Sequence, residues 1–246
     1  MSGHSKWSTI KRKKGVNDAK RGKLFAKLIR GIEVAAKNGG VDPEINASLN
    51  QAIQKAKASS VPNQNIDKAL KRLSGEGETT NLEEIYYEGY GPFGIAFYVY
   101  CLTDNRNRTA SDVKATFTKN NGNIGNPGSV SYLFKRKGLF ELSGDKDKII
   151  DFAINNNCLD IIEQFDHIVL EVLPTNFISF KENIISNNFK IISSELPFLP
   201  TTNIIINSDE FLKVSNLLEA LEDLDDVQDV YTNFDIEDNE LETILK

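Results

Sequence analysis

GLFELSGDKDKIIDFAINNNCLDIIEQFDHIVLEVLPTNFISFKENIISNNFKIISS, residues 138–194, decides how the whole chain is organised. Gly138–Ser143 reads as a strand. Asp145–Asn155 then reads as a helix, Asp160–Phe165 and Ile168–Leu173 as strands, Asn176–Ser186 as a second helix and Phe189–Ser194 as a last strand. The order is βαββαβ, a split sandwich with both helices on one face of an antiparallel sheet. With that block set aside, the flanks spell the same order. Gly94–Thr103 (GIAFYVYCLT) is β-branched and aromatic, as a central strand should be. Asn105–Asn120 follows as a helix and Ser129–Lys135 as a strand; Thr202–Asn207, Ser208–Asp223 and Val227–Phe234 read as strand, helix and strand. Pro197 and Pro200 mark the return crossing. The expected fold class is α+β, with one βαββαβ (ferredoxin-like) domain, 137–197, inserted into another, 80–136 plus 198–246.

Residues 1–79 have a different pattern. From Asn17 to Lys37, Leu24, Phe25, Leu28, Ile29, Ile32, Ala35 and Ala36 recur at helical spacing and cover an arc of about 140°. Lys20, Lys23, Lys27, Arg30 and Lys37 lie on the opposite arc, and Asn38-Gly39-Gly40 stops the helix. About 20 residues give a length of roughly 30 Å, close to one turn of B-form DNA at about 34 Å. Asn46–Ala58 and a segment opened by Pro62 carry further apolar stripes, so three helices bury one another in a small bundle.

Composition is that of a chain with real cores: 246 residues, 40% hydrophobic and 26% charged, with a mean hydropathy of −0.34. No apolar run approaches the roughly 20 residues of a membrane helix, and the charged opening is not a signal peptide, so a cytoplasmic location is expected. The net charge of −6 hides an asymmetry. Residues 1–37 hold eleven Lys and Arg against Asp18 and Glu33, a net of +9, with no compensation visible in that stretch. Charge is screened over about 10 Å at 0.1 M salt, so an anionic partner meets the local +9. Lys6, Lys11, Arg12, Lys13 and Lys14, with Trp7 among them, and Lys20, Arg21, Lys23, Lys27 and Arg30 on the helix form the candidate nucleic-acid surface. Cations hold phosphates, and an aromatic stacks on a base. A solvated tail and helix face is the bland alternative.

LTDNRNRT, 102–109, sits between a strand end and a helix start, where Asp104, Asn105 and Asn107 suit a cap. Arg106 and Arg108 on that turn make a second candidate phosphate contact. Gly122, Gly125 and Gly128 follow a helix and precede a strand, the reverse of a dinucleotide site, and read as a shaped loop. Tyr86–Pro92 reads as a structured entry to the sheet or an aromatic contact patch, and the carboxylates of Glu219–Asp229 as a solvated helix end. Catalysis finds little footing. The two histidines, His4 and His167, and the two cysteines, Cys101 and Cys158, form no nucleophile or zinc signature. No cofactor or metal is expected, and an enzyme with a site between the α/β domains is the weakest alternative.

The opening Ser2-Gly3-His4-Ser5-Lys6-Trp7, with Ile10-Lys11 and Arg21-Gly22-Lys23, resembles the start of the YebC/PmpR family. YEGYGP within 86–92, LTDNRNRT and GSVSYLF at 128–134 resemble it as well. Gly31 departs from it, standing where the family usually has an acidic residue. The resemblance implies three domains, one interrupting another, and a non-enzymatic, DNA-binding transcriptional regulator of the bacterial cytoplasm. It also implies an alternative, a ribosome- or rRNA-associated translation factor acting on stalled ribosomes, since related mitochondrial proteins activate translation of cytochrome c oxidase subunit I.

Overall fold

The computed structural model describes residues 18–74, 82–237 and 240. The chain divides into two compact units, one made of residues up to Leu133 and from Pro200 onward, the other of Phe134–Leu199.

The larger unit begins with helices α1 (Asp18–Gly39), α2 (Ala47–Ala58) and α3 (Asn63–Ser74). Leu28, Ile32, Ala36, Leu49, Ile53 and Ile66 bury one another at their centre. Leu24, expected to face inward, is 37% exposed. Buried Asn46 ties the first two helices together. Its side-chain oxygen accepts from Leu49 N–H, and its Nδ2 donates to Ala35 O (2.7 Å) and Gly40 O (2.8 Å). Gly39 permits this approach, because a Cβ there would lie 2.6 Å from Asn46 Nδ2.

The chain then enters β1 (Glu83–Tyr90), β2 (Ala96–Thr103), α4 (Arg106–Lys119) and β3 (Asn123–Ile124). After the second unit it returns as β10 (Ile204–Ile206), α7 (Ser208–Glu222), β11 (Val227–Thr232) and β12 (Phe234–Ile236). Four strands form a sheet in the order β11-β2-β1-β3, and β10 pairs with β12 in parallel. Phe97, Val99, Val113, Phe117, Leu217 and Leu221 are among the side chains buried between this sheet and its two helices.

Three details differ from expectation. The strand expected over Thr202–Asn207 lies outside the four-stranded sheet and pairs in parallel with β12. Residues 83–90 form a full strand, antiparallel to β2 from Glu83↔Thr103 to Tyr90↔Ala96. The strand expected over Ser129–Lys135 is instead a 3-10 turn, Ser131–Leu133, followed by the short β4 (Phe134–Arg136). The cause is Glu88, whose buried carboxylate accepts from the N–H groups of Gly128 (2.8 Å), Val130 (2.7 Å) and Ser131 (2.8 Å). Amides bound to a side chain cannot also join a ladder.

The smaller unit follows the βαββαβ reading. It runs β5 (Gly138–Ser143), α5 (Lys146–Asn155), β6 (Asp160–Glu163), β7 (Ile168–Val172), α6 (Phe177–Ser186) and β8 (Lys190–Glu195), with strand order β6-β7-β5-β8 and every neighbour antiparallel. Phe140 stacks on Phe177 at 4.7 Å and packs beside Phe180 in its core. β4 pairs with β9 (Phe198–Pro200) where the chain enters and leaves.

Candidate nucleic-acid interface

Lys23, Lys27 and Arg30 occur at i, i+4 and i+7, so α1 presents them as one stripe. That stripe faces the end of α7 and the turn after it. Lys23 Nζ lies 3.3 Å from Asp225 Oδ1, and Lys27 Nζ donates to Glu222 O. Arg30 Nη1 donates to Asp225 O (2.9 Å) and Asp226 Oδ1 (3.0 Å). In α2, Lys55 Nζ donates to Asp229 Oδ1 at 3.0 Å. A bulge between Val227 and Asp229 sets the register of that carboxylate.

The C-terminal end of a helix carries unpaired carbonyls and the negative pole of its dipole. α7 has no basic residue in its last turn, so α1 supplies the cations from elsewhere in the chain. This corrects the reading of an uncompensated basic segment. The compensation for Lys23, Lys27 and Arg30 comes from about 200 positions downstream.

Asp226 is the pivot of the cluster. It is 6% exposed, not part of a solvated helix end. Its Oδ2 accepts from Arg108 Nη2 (2.8 Å), Arg108 Nε (3.3 Å), Thr109 Oγ1 (2.8 Å) and Thr103 Oγ1 (3.3 Å). Burial alone would raise the Asp226 pKa; the hydrogen bonds from Arg108 and Thr109 and the charges of Arg108 and Arg30 outweigh it and hold the carboxyl below its ordinary value. The same pairs raise the pKa of Arg108.

LTDNRNRT thus folds into the socket of Asp226. Asn105 caps α4 by accepting from Arg108 N at 3.1 Å, while Asp104 Oδ1 accepts from Arg108 Nη2 at 2.8 Å. Arg106 instead meets Glu83, with 3.8 Å between Nε and Oε2. Lys23, Arg30, Asp104, Arg108, Asp112 and Asp225 all border one open cleft here.

The other predicted contacts are placed as follows. Lys6, Trp7, Lys11, Arg12, Lys13 and Lys14 lie outside the described residues, as do the side chains of Lys20 and Arg21, whose backbone is in the first turn of α1. Sequence reasoning missed Thr103, Asp225, Asp226 and Asp229. The available signal was a long capped helix with no cation at its end, followed by Asp223-Leu224-Asp225-Asp226.

The cysteines and the described histidine are placed as follows. Cys101 is buried, and burial pushes its thiol up to about 12. The Cys158 thiol is likewise raised by burial. His167 Nδ1 sits 2.7 Å from its exposed chain neighbour Asp166. Among the described residues no group of three or more His, Cys, Asp or Glu is arranged to hold a metal, and no helix is long and apolar enough to cross a membrane.

Residues 5–76 match the TACO1/YebC protein N-terminal domain, and residues 82–234 match the TACO1/YebC second and third domain. A probable transcriptional regulatory protein of Geobacter sulfurreducens is 46% identical over all of both chains. One from Geobacillus thermodenitrificans is 46% identical over 96% of this chain and 97% of its own. The crystal structure of a conserved hypothetical protein from Aquifex aeolicus superposes with a TM-score of 0.78 at 42% identity, covering 90% of this chain and 93% of that one. With both matched segments together spanning most of its length, this chain belongs to the TACO1/YebC family.

Proposed function

We propose that this chain is a non-enzymatic regulator of transcription that binds DNA in the cytoplasm through its basic N-terminal part. The observation that carries the reading is the charge of that part: eleven Lys and Arg against two carboxylates in the first 37 residues, three of the cations aligned along α1. Relatives named as probable transcriptional regulatory proteins over the full chain support it. Lys6, Lys11, Arg12, Lys13, Lys14, Lys20, Arg21, Lys23, Lys27 and Arg30 would contact phosphates, Trp7 would stack, and Arg106 and Arg108 would extend the surface. Phosphate contacts position a protein without reading sequence, so target choice lies in other side chains.

The binding domain in this reading is 1–79. It is followed by an α/β domain of 80–136 plus 198–246 and an inserted domain of 137–197. The helical core and the sheet core of the larger unit share no residue, which favours treating them as separate domains.

If eight cations meet phosphates, log Kd against log salt has a slope of about 7 in magnitude. Titration of labelled duplex at several salt concentrations measures it. Unchanged affinity after removal of the first forty residues overturns the proposal. Recovery of ribosomal RNA alone by crosslinking in cells rejects the transcriptional reading in favour of the translational one.

A further inference from the structure

On α1, three of the cations assigned to phosphate are already engaged by oxygens of the same chain. The contacts comprise one carboxylate on Lys23, a helix-end carbonyl on Lys27, and a carbonyl plus a carboxylate on Arg30. Each partner is a negatively charged or dipolar oxygen, as a phosphate oxygen is. We propose that the turn Glu222–Asp226, with Asp229 on β11, is an internal mimic of a nucleic-acid backbone. It covers the basic stripe of α1 until a polyanion displaces it. The inference rests on the binding reading above and adds regulation to that same surface.

The clasp is built to open. Its outer pairs reach solvent, Lys23 and Asp225 at 57% and 67% exposed, and Lys55 at 51% on a half-buried Asp229 at 30%. Ion pairs this wet are weak and screened by salt, and a duplex offers a row of phosphates that outbids two aspartates. The inner pair is arranged asymmetrically. Arg30 holds only Oδ1 of Asp226, while Arg108, Thr109 and Thr103 hold Oδ2. When Arg30 leaves, Asp226 stays paired in its socket, so release leaves no buried charge stranded. The helical bundle also keeps its own apolar core, separate from that of the sheet. Departure of α1 from the turn therefore unpacks neither core, and Leu224 stays packed against the sheet.

The test uses the full-length chain and a mixed-sequence DNA duplex about three turns long. Asp225→Asn with Asp229→Asn is expected to bind roughly 3- to 10-fold tighter at low salt, from two released outer pairs. Asp42→Asn with Glu44→Gln removes two exposed carboxylates of the helical part and controls for general charge. It is expected to shift affinity by less than about twofold. Equal tightening by both double variants overturns the clasp.

Chemical footprinting separates the two ideas. On adding duplex, acetylation of Lys23 and Lys27 is expected to fall while carbodiimide labelling of Asp225 and Asp229 rises. Protected lysines with unchanged aspartates overturn the clasp and leave the binding reading intact. Lysines that stay reactive at saturating duplex overturn the binding reading, and the clasp with it.

Discussion

Asp226 shows how one side chain can hold two parts of a chain while remaining fully paired itself. Its four hydrogen-bonding neighbours come from α1, the end of β2 and the first turn of α4. Replacing it with Ala removes the acceptor for two hydroxyls and two guanidinium groups at a site 6% exposed. The expected loss is about 1–3 kcal/mol of unfolding free energy, read from urea denaturation. Acid should act in the same direction. The Asp226 carboxyl titrates below its ordinary range, and so does that of Glu88, where burial opposes the shift but three backbone N–H donors outweigh it. A carboxyl with a depressed folded pKa contributes stability above its unfolded value, about 4. That contribution disappears as pH falls through the folded value. Stability of the native chain is therefore expected to decline below about pH 4, and Asp226→Asn should flatten that decline; pH-dependent urea midpoints measure both. Neither carboxylate was legible as special in the sequence. Asp226 is one of many acidic residues in its neighbourhood, and its partners Arg30 and Arg108 lie more than 100 positions away.

Helices were the most legible elements, because their stop signals are local. α4, α5 and α6 are each followed within two residues by an asparagine at positive φ, Asn121 (57°), Asn157 (55°) and Asn188 (58°). Asparagine tolerates the left-handed conformation that ends a helix, and Asn-Asn pairs mark all three ends in the sequence. The strands of the smaller unit were equally plain, since they are short apolar runs that pair within one short segment. Failure came where a side chain took over backbone donors, as Glu88 does at 128–131, since no periodicity records such a capture. α1 carries a local weakness of its own. Gly31 lies mid-helix, and a Cβ added there meets nothing within 4 Å. Gly31→Ala is expected to stabilise by about 1 kcal/mol from helix propensity. This should raise the Tm by roughly 2–4 °C in a thermal melt, without altering the basic stripe.

At the level of the molecule, nesting of one βαββαβ block within other α/β elements was readable because removing 138–194 left a coherent remainder. The joining of helices to sheet was not, because it depends on charges brought together from distant positions. The junction of the two units has a practical corollary. Thr201 N donates to Leu133 O at 2.7 Å, so the host chain is already nearly closed on itself across the gap that the guest occupies. Replacing residues 134–199 with a few Gly and Ser should leave the remaining unit folding cooperatively by circular dichroism, with duplex affinity retained. Such a seam makes the smaller unit a detachable guest: cutting it out leaves intact the hydrogen bond that closes its host.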